Sequence, residues 1–186
     1  MAELVPVEAF DMVIFGATGD LARRKILPAL FHRWCDGQIP ENSRIIAAAR
    51  EDMSTAEYLV RAGEFVNGDK KDKAWAAFSK RVTYTAIDAH GESGGWQVIR
   101  DALKGDEAKI RLFYLALPPS VYGPVCAAIG KHALNTPDSR IVLEKPIGHD
   151  FHSARHINEA VGAVFDEASI FRIDHYLGKE TVQNLL

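Results

Sequence analysis

The stretch that decides the fold is MVIFGATGDL, residues 12–21, near the start of a 186-residue chain. Its first four residues are apolar without interruption, which is typical of a strand buried on both faces of a sheet. Gly16 and Gly19 follow at once, and residues 21–35 then carry apolar side chains at helical spacing. A buried strand, a glycine-containing turn and a helix in this order predict the first half of a βαβ unit.

Similar short apolar runs recur along the chain, separated by longer segments with helical periodicity. They lie at residues 45–48, 82–87, 112–115, 141–143 and 170–171. Parallel strands need long crossover connections, and right-handed crossovers place helices on both faces of the sheet. We therefore predict an α/β fold with a doubly wound, mostly parallel, Rossmann-like sheet, in one domain covering residues 1–186. Residues 54–80, long enough for two helices, and the glycine-rich loop 90–95 are predicted to be insertions at the rim of the sheet.

The composition favours a globular domain with a small partner. Hydrophobic residues make up 47% of the chain and charged residues 25%, and the net charge of −3 comes from interspersed acids and bases. This pattern excludes the one-signed surface of nucleic-acid and membrane-surface binders. No apolar run approaches the roughly 20 residues needed to cross a bilayer, and the first residues lack the basic start of a signal peptide. We expect no nucleic-acid or membrane binding, and a cytoplasmic location.

The spacing of cysteine and histidine gives no specific support for a metal site. Cys35 and Cys126 are far apart and form no CxxC pattern, and the histidines form no HExxH pattern. We expect no metal and no disulfide, with both thiols reduced and in the core.

The turn after the first strand is the candidate phosphate-binding site. It consists of Gly16, Ala17, Thr18, Gly19, Asp20 and Leu21. Glycine lets the backbone turn sharply and approach a diphosphate, while the free amides and positive dipole of the following helix attract the anion. The full GxGxxG fingerprint is absent, so a plain tight turn with Thr18 or Asp20 as helix cap remains an alternative. For Asp20 the cap is favoured, because its carboxylate would repel a diphosphate.

The second strand is followed by Arg50, at the position where a dinucleotide fold distinguishes its cofactors. An acidic residue there suits the ribose of NAD, whereas an arginine suits the 2′-phosphate of NADP. The guanidinium can bind the phosphate through two donors and stack on adenine. Arg50 therefore favours NADP, with NAD as the second choice. Glu51 and Asp52 follow directly, and pairing of Arg50 with one of these acids is the alternative.

Lys145 follows the fifth strand, at the carboxyl edge where ligands bind in open α/β sheets. Its ammonium group can bind a sugar hydroxyl and help hold the sugar against a nicotinamide. A surface lysine at a strand end is the alternative. Pro146 fixes its own φ and restrains Lys145, which favours a defined geometry there.

A polar cluster follows the sixth strand and contains Asp174, His175, Tyr176 and Lys179. Asp174 and His175 are neighbours on an extended chain, so their side chains point to opposite faces and each needs a partner elsewhere. His175, Tyr176 and Lys179 can together donate to a phosphate dianion if the chain turns at Gly178. A loop of ordinary helix-capping residues is the alternative.

Five segments together resemble the N-terminal coenzyme domain of the glucose-6-phosphate dehydrogenase family. They are GATGDLARRKILPALF (16–31), Ala49-Arg50, FYLALPPSVY (113–122), EKPIG (144–148) and RIDHYLGKETVQNLL (172–186). The last is the most specific, because other sugar oxidoreductases that share the EKP strand end use GxGxxG and lack RIDHYLGK. The resemblance implies oxidation of glucose 6-phosphate to 6-phosphoglucono-1,5-lactone with hydride transfer to NADP, in the oxidative pentose phosphate pathway.

The resemblance also implies roles for single residues. Residues 16–21 correspond to the diphosphate loop and Arg50 to the ligand of the 2′-phosphate. Glu51 stands where the family commonly has a serine, so the resemblance also implies that the chain can use both NAD and NADP. Lys145 is similar to the family lysine that touches both substrate and nicotinamide. The sugar-phosphate anchors of the family correspond to His175, Tyr176 and Lys179.

Asp174 is similar to a family carboxylate that orients a catalytic histidine in a later, larger domain. The resemblance therefore implies that these 186 residues bind NADP without turnover, and that the whole enzyme forms homo-oligomers through that later domain. Two alternatives remain at this stage, namely a stand-alone nucleotide-binding or regulatory module and another sugar oxidoreductase.

Overall fold

A six-stranded, all-parallel sheet runs through the computed structural model, which describes residues 7–66, 71–106 and 108–174. The strands are β1 (Phe10–Phe15), β2 (Arg44–Ala49), β3 (Val82–Ala86), β4 (Ile110–Leu115), β5 (Arg140–Glu144) and β6 (Ile170–Ile173). Their order across the sheet, β3-β2-β1-β4-β5-β6, is the order typical of dinucleotide-binding domains. The predicted doubly wound, Rossmann-like fold is confirmed.

The helices form the crossovers and cover both faces of the sheet. A π-helical segment (Ala22–Ile26) continues as α1 (Leu27–Cys35), followed by α2 (Thr55–Gly63), α3 (Lys71–Ser79), α4 (Gly95–Leu103), α5 (Tyr122–Lys131) and α6 (Phe151–Gly162). Short 3₁₀ turns lie at Pro119–Val121 and Glu167–Ser169. Helices α1 to α3 cover one face, and α4 to α6 cover the other.

Alternate residues of β1 supply the apolar cores on the two faces, because successive side chains of a strand point in opposite directions. Val13 and Phe15 pack on the side of α4 to α6, where the ring of Phe15 stacks on Trp96 with centroids 5.4 Å apart. Met12 and Ile14 pack beneath α1 to α3. This strand, buried on both faces, explains the continuous apolar run in the sequence.

The segment 54–80 differs from the prediction of a rim insertion. Its two helices are confirmed, but α2 and α3 form the crossover from β2 to β3 and lie on the face of the sheet. Tyr58 and Phe78 are at most 1% exposed and belong to the same core as Ile14. These buried aromatic side chains hold the helices against the sheet. Helix α2 begins with a capping box, in which Ser54 and Glu57 each accept a hydrogen bond from the other's backbone amide.

The two thiols lie in different environments. Cys126 is buried in α5, and burial raises the pKa of its thiol to about 12. Cys35 is exposed at the end of α1, so the expectation of two core thiols is wrong for this residue. The buried residues of α1, Leu27, Pro28 and Phe31, lie in its first five positions, whereas Cys35 is its last residue, which accounts for the exposure.

A charged network closes the amino edge of the sheet. Asp11 is fully buried and accepts two hydrogen bonds from the Arg44 guanidinium, at 2.7 and 2.5 Å. Asp106 pairs with Arg44 at 2.9 Å, and Lys109 lies 3.3 Å from Asp106 and 4.0 Å from Asp11. Because a buried carboxylate is stable only when paired, this network ties β1, β2 and the start of β4 together.

We expect Asp11→Asn to reduce the free energy of unfolding by about 2–3 kcal/mol, because the variant leaves the Arg44 guanidinium without its buried counter-charge. Urea denaturation of both proteins measures the difference. Asp138→Asn, which removes an exposed carboxylate from a turn at the same edge, serves as the control and is expected to change stability by less than about 0.5 kcal/mol. Equal effects of the two substitutions would contradict the role of the network.

Candidate functional site

A crevice of about 800 Å³ opens at the carboxyl edge of the sheet, where β1 and β4 diverge to helices on opposite faces. Such a switch point is where open α/β sheets bind ligands. The described residues that line it come from the end of β2 and the segments that follow β1, β2, β3 and β4, from the turn before α5 and from α5 itself. They are Gly16, Thr18, Gly19, Ala49, Arg50, Glu51, Ile87, Asp88, Ala89, His90, Ala116, Leu117, Pro118, Ser120, Val121 and Val125.

Gly16 makes the closest backbone approach in the crevice. Its φ is +81°, and a Cβ built on it would lie 2.1 Å from the carbonyl oxygen of Ala116, which follows β4. Its amide donates to the carbonyl of Ala48, as does the amide of Ala17. No side chain fits at position 16, and the turn is bound to the ends of both neighbouring strands.

The helix that follows this turn presents its N-terminus to the crevice. Helical hydrogen bonding begins when the Arg23 amide donates to the Gly19 carbonyl at 3.1 Å. The amides that precede Arg23 at a helix start lack intrahelical acceptors, and together with the helix dipole they favour an anion. The π-helical geometry of Ala22–Ile26 is of a kind frequently found at functional sites. The turn that the sequence predicts to bind phosphate therefore has a geometry suited to an anion.

Asp20 does not cap this helix, contrary to the favoured expectation. Its exposed carboxylate contacts the guanidinium groups of Arg24, at 3.2 Å, and Arg23, at 3.5 Å. No side-chain hydrogen bond caps the helix that begins here. Two positive charges one turn along the helix attract the carboxylate more strongly than the amides do.

Arg50 lies on the crevice wall directly after β2 and is exposed. Glu51 lines the same wall, but its carboxylate is bound by Arg61 of α2 at 2.5 Å. Within the described ranges 7–66, 71–106 and 108–174, the guanidinium of Arg50 has neither an ion pair nor a hydrogen bond. In the structure, therefore, Arg50 is paired with neither Glu51 nor Asp52, contrary to the alternative that the sequence left open.

The loop after β3 forms the next part of the wall. Asp88 organises it, because its carboxylate accepts hydrogen bonds from the amides of His90, Glu92 and Ser93 at 2.7, 3.1 and 2.5 Å. Burial alone raises the pKa of Asp88, but these backbone donors outweigh it and lower the pKa to about 2. The indole of Trp96 donates to the Asp88 carbonyl at 2.8 Å.

Contacts with α5 fix the far side of the same loop. Gly91 has a φ of +80°, and a Cβ built on it would lie 2.9 Å from the Cβ of Ala128. The Nε2 atom of His132 lies 3.0 Å from the Gly91 carbonyl oxygen, and the ammonium of Lys131 lies 2.9 Å from the carboxylate of Glu92. The prediction of a rim insertion at residues 90–95 is therefore incomplete, since His90 lines the crevice while Gly91 and Glu92 contact α5.

Lys145 and Asp174 meet at the same sheet edge, two to three strands from β1. The Lys145 ammonium lies 4.0 Å from Asp174 Oδ2, and the Lys145 amide donates to the carbonyl of Ile173 at 3.0 Å. Both side chains are partly exposed. Because β5 and β6 are parallel and adjacent, two residues 29 positions apart in the sequence come together here.

Two tyrosines support this position through Glu144, the last residue of β5. The Tyr114 hydroxyl donates to the Glu144 carboxylate. The Tyr122 hydroxyl donates to the Glu144 carbonyl at 3.1 Å and accepts from its amide at 3.2 Å. Burial, followed by the negative charge of Glu144, raises the pKa of the Tyr114 hydroxyl. Both the side chain and the backbone of Glu144, the residue before Lys145, are therefore fixed by hydrogen bonds.

Three predicted substrate residues, His175, Tyr176 and Lys179, lie outside the described residues. Arg172, just before them, pairs with Glu167 at 2.6 Å and donates to the Asn158 side chain at 2.8 Å.

The described residues contain no group of three or more His, Cys, Asp or Glu that could hold a metal ion. His152 and His156 lie one turn apart on the exposed side of α6 and are only a pair. Over residues 7–66, 71–106 and 108–174, no helix is long and apolar enough to span a bilayer.

The sequence did not single out Asp88, Arg61, Tyr114 or Tyr122. For Asp88 a signal existed, because an aspartate followed by glycine and serine is typical of a turn in which the carboxylate binds backbone amides. The contacts of Arg61, Tyr114 and Tyr122 are made across distant parts of the chain, and local patterns carry no signal for them.

Known proteins match both the sequence and this geometry. A family model described as "Glucose-6-phosphate dehydrogenase, NAD binding domain" matches residues 13–184. The chain belongs to this family. Glucose-6-phosphate 1-dehydrogenase of Rhizobium meliloti (strain 1021) is 45% identical over 100% of this chain. The protein of the same name from Mycolicibacterium smegmatis is 47% identical over 97% of it. In each case the chain spans only 38% of the relative's length.

Solved structures of the family have the same fold. One, described as "Glucose-6-phosphate dehydrogenase in complex with its substrate glucose-6-phosphate", matches with a TM-score of 0.82 and 36% identity over 100% of this chain and 40% of that chain. Glucose-6-phosphate 1-dehydrogenase from Mycobacterium avium matches with a TM-score of 0.80 and 33% identity, over 94% of this chain and 38% of its own. The chain therefore corresponds to the nicotinamide-cofactor domain of this family.

We expect Asp88→Asn to destabilise the domain at neutral pH by about 1 kcal/mol, because a charged acceptor for three amides is lost in a partly solvated loop. The pKa of Asp88 is lowered to about 2 in the folded chain. The contribution is therefore complete above about pH 4, the pKa of an unfolded aspartate, and is lost as the pH falls toward 2.

Chemical denaturation of both proteins between pH 7 and pH 2 measures the difference. Asp101→Asn, which removes an exposed carboxylate paired with Lys104 at 2.6 Å, is the control and should have a smaller effect. A difference between wild type and Asp88→Asn that stays constant down to pH 2 would contradict the role of the charge.

Proposed function

We propose that this chain is the NADP-binding part of an enzyme that oxidises glucose 6-phosphate to 6-phosphoglucono-1,5-lactone. The observation that carries the proposal is one sheet edge with three features in strand order. They are a cationic residue after β2, a glycine turn after β1 and a lysine–carboxylate pair after β5 and β6. Membership of the family supports the same reaction.

The glycine turn suits the diphosphate of a dinucleotide. The backbone at Gly16 and Gly19 carries no side chain, so a diphosphate can approach it closely. The N-terminus of the helix after the turn supplies amides and a positive dipole end. We propose that residues 16–21 hold the diphosphate, with Asp20 kept from it by its pairing with Arg23 and Arg24.

Arg50 supports NADP as the cofactor. Its guanidinium is exposed on the crevice wall, without a partner in the described parts of the chain. A 2′-phosphate on the adenosine ribose is a dianion that a guanidinium can bind through two parallel hydrogen bonds. NAD, which lacks this phosphate, makes no such contact and is the second choice.

The reacting end of the site lies toward β5 and β6. NADP supplies a nicotinamide that accepts a hydride from the sugar. We propose that the Lys145 ammonium donates a hydrogen bond to a sugar hydroxyl and so fixes the sugar relative to the nicotinamide. Asp174, 4.0 Å from that ammonium, serves as the carboxylate that orients the catalytic base of the whole enzyme.

The substrate assignment follows the family. A relative in the solved structures is described as bound to glucose 6-phosphate, and we propose the same substrate here. His175, Tyr176 and Lys179 are proposed to bind its phosphate, because an imidazole, a phenol and an ammonium together supply the donors that a dianion requires. We further propose a cytoplasmic location and homo-oligomerisation of the whole enzyme.

We expect a protein of these 186 residues to bind NADP but not to form NADPH when glucose 6-phosphate is added. The reason is that the family resemblance implies a catalytic histidine in a later domain, and the chain spans only 38% of the length of two relatives. Calorimetry measures binding and absorbance at the NADPH band measures turnover. Sugar-dependent formation of NADPH by the purified chain would show that the base lies within it.

We expect Arg50→Ala to weaken NADP binding by about 1.5–3 kcal/mol and to leave NAD binding almost unchanged, because only NADP carries the phosphate that Arg50 is proposed to bind. Calorimetric titration of each cofactor measures the two changes. Arg155→Ala, an exposed arginine on α6, is the control and should affect neither. Equal weakening of NADP and NAD would exclude the 2′-phosphate role.

A further inference from the structure

The wall of the crevice that carries Arg50 also carries an acid, Glu51. An uncompensated carboxylate at this place would repel a bound phosphate dianion and would also attract the guanidinium that has to bind it. The position of Glu51 therefore matters for any cofactor with a 2′-phosphate. This reasoning rests on the proposed function, in which the crevice binds NADP.

The negative charge of Glu51 is compensated by a residue of the following helix, α2. Arg61, in the last turn of α2, places Nη1 2.5 Å from Glu51 Oε1. The C-terminal end of a helix favours a positive charge, so Arg61 is well placed electrostatically. The carboxylate that is adjacent to Arg50 in the sequence is therefore paired with an arginine ten residues later, and Arg50 remains available.

The backbone of Glu51 is fixed as well as its side chain. The Tyr84 hydroxyl donates to the Glu51 carbonyl at 2.5 Å. The ring of Tyr84 stacks on the buried ring of Tyr58, with centroids 5.0 Å apart and planes 22° apart. Tyr58 and Arg61 are both on α2, one turn apart, so this helix binds the Glu51 side chain directly and packs against the tyrosine that binds its backbone.

We propose that Arg61 is a positioning residue that sets the preference for NADP over NAD, by holding the Glu51 carboxylate and cancelling its charge on the wall beside Arg50. Arg61 acts through Glu51 and not as a ligand of the phosphate. Its influence is therefore confined to the cofactor that carries a 2′-phosphate, because NAD presents no charge to this part of the wall.

The proposal is tested by calorimetric titration of NADP and NAD into the full chain and four variants at low ionic strength. For Arg61→Gln we expect the Kd of NADP to rise about fivefold while the Kd of NAD stays within about twofold, since one uncompensated charge acts on the phosphate dianion. Arg61→Lys, which keeps the charge, should bind both cofactors within about twofold of wild type. The control is Arg155→Gln, which breaks a somewhat more exposed pair with Glu159 at 2.7 Å far from the crevice.

The double variant Glu51→Gln/Arg61→Gln distinguishes the mechanism from direct ligation. Removing the carboxylate as well should restore the Kd of NADP to within about twofold of wild type. Failure of this restoration would show that Arg61 itself contacts the phosphate, and would overturn the proposal. So would an Arg61→Gln variant that binds NADP as wild type does, or one that loses NADP and NAD equally.

Failure of the proposed function would appear differently. Wild-type chain that binds neither cofactor would refute the function, and the inference with it. Wild-type chain that binds NADP more tightly than NAD, combined with an unchanged ratio in Arg61→Gln, would refute only the inference.

Discussion

The structure depends on the contact between Gly16 and the backbone after β4. At this point the chain leaves β1 for one face of the sheet, while β4 leads to the other face. The 2.1 Å that would separate a Cβ from the Ala116 carbonyl shows that any side chain here would push the two strand ends apart. Without this close approach, the turn could not bind both neighbouring strand ends, and the crevice would lose the part of its lining that Gly16 forms. The positive φ of +81° adds a second reason why the position requires glycine.

The two edges of the sheet use charge in opposite ways. At the amino edge, Asp11 is fully buried and its charge is compensated by Arg44 and Lys109. Such a closed network contributes to stability and offers nothing to a ligand. At the carboxyl edge, Arg50 and Lys145 are both exposed, and the acid that follows Arg50 is paired with Arg61 instead of with Arg50. The difference follows from topology, because only the carboxyl ends of parallel strands diverge to form a crevice.

Much of this organisation is predictable from local sequence. Short apolar runs predict the six strands of the sheet, most clearly β1 and β2, which are buried on both faces. Gly16, Arg50 and Lys145 were identified from their positions at strand ends. The crossover 54–80 was placed wrongly, because nothing local reveals that Tyr58 and Phe78 share a core with β1. Asp20 was predicted to cap a helix and instead contacts Arg23 and Arg24, since several acceptable partners competed for it.

The side chains that tune the site were the least predictable. Arg61 reaches Glu51 only because α2 packs against β3, and Lys145 meets Asp174 only because β5 and β6 are adjacent. These pairings are consequences of the fold. Asp88 is different, because its carboxylate binds amides within five residues of itself, and its turn can be inferred from sequence once such motifs are considered.

We propose that a dinucleotide lies across the carboxyl edge of the sheet, with its diphosphate on the turn after β1. Backbone amide shifts in two-dimensional NMR spectra, recorded while NADP is added to the isotope-labelled chain, test it most directly. We expect the largest shifts at Gly16, Thr18, Gly19 and Arg50, with little change at the amino edge. Shifts concentrated instead around the polar pocket of about 430 Å³ near Thr136, Ser139 and Val164 would contradict it.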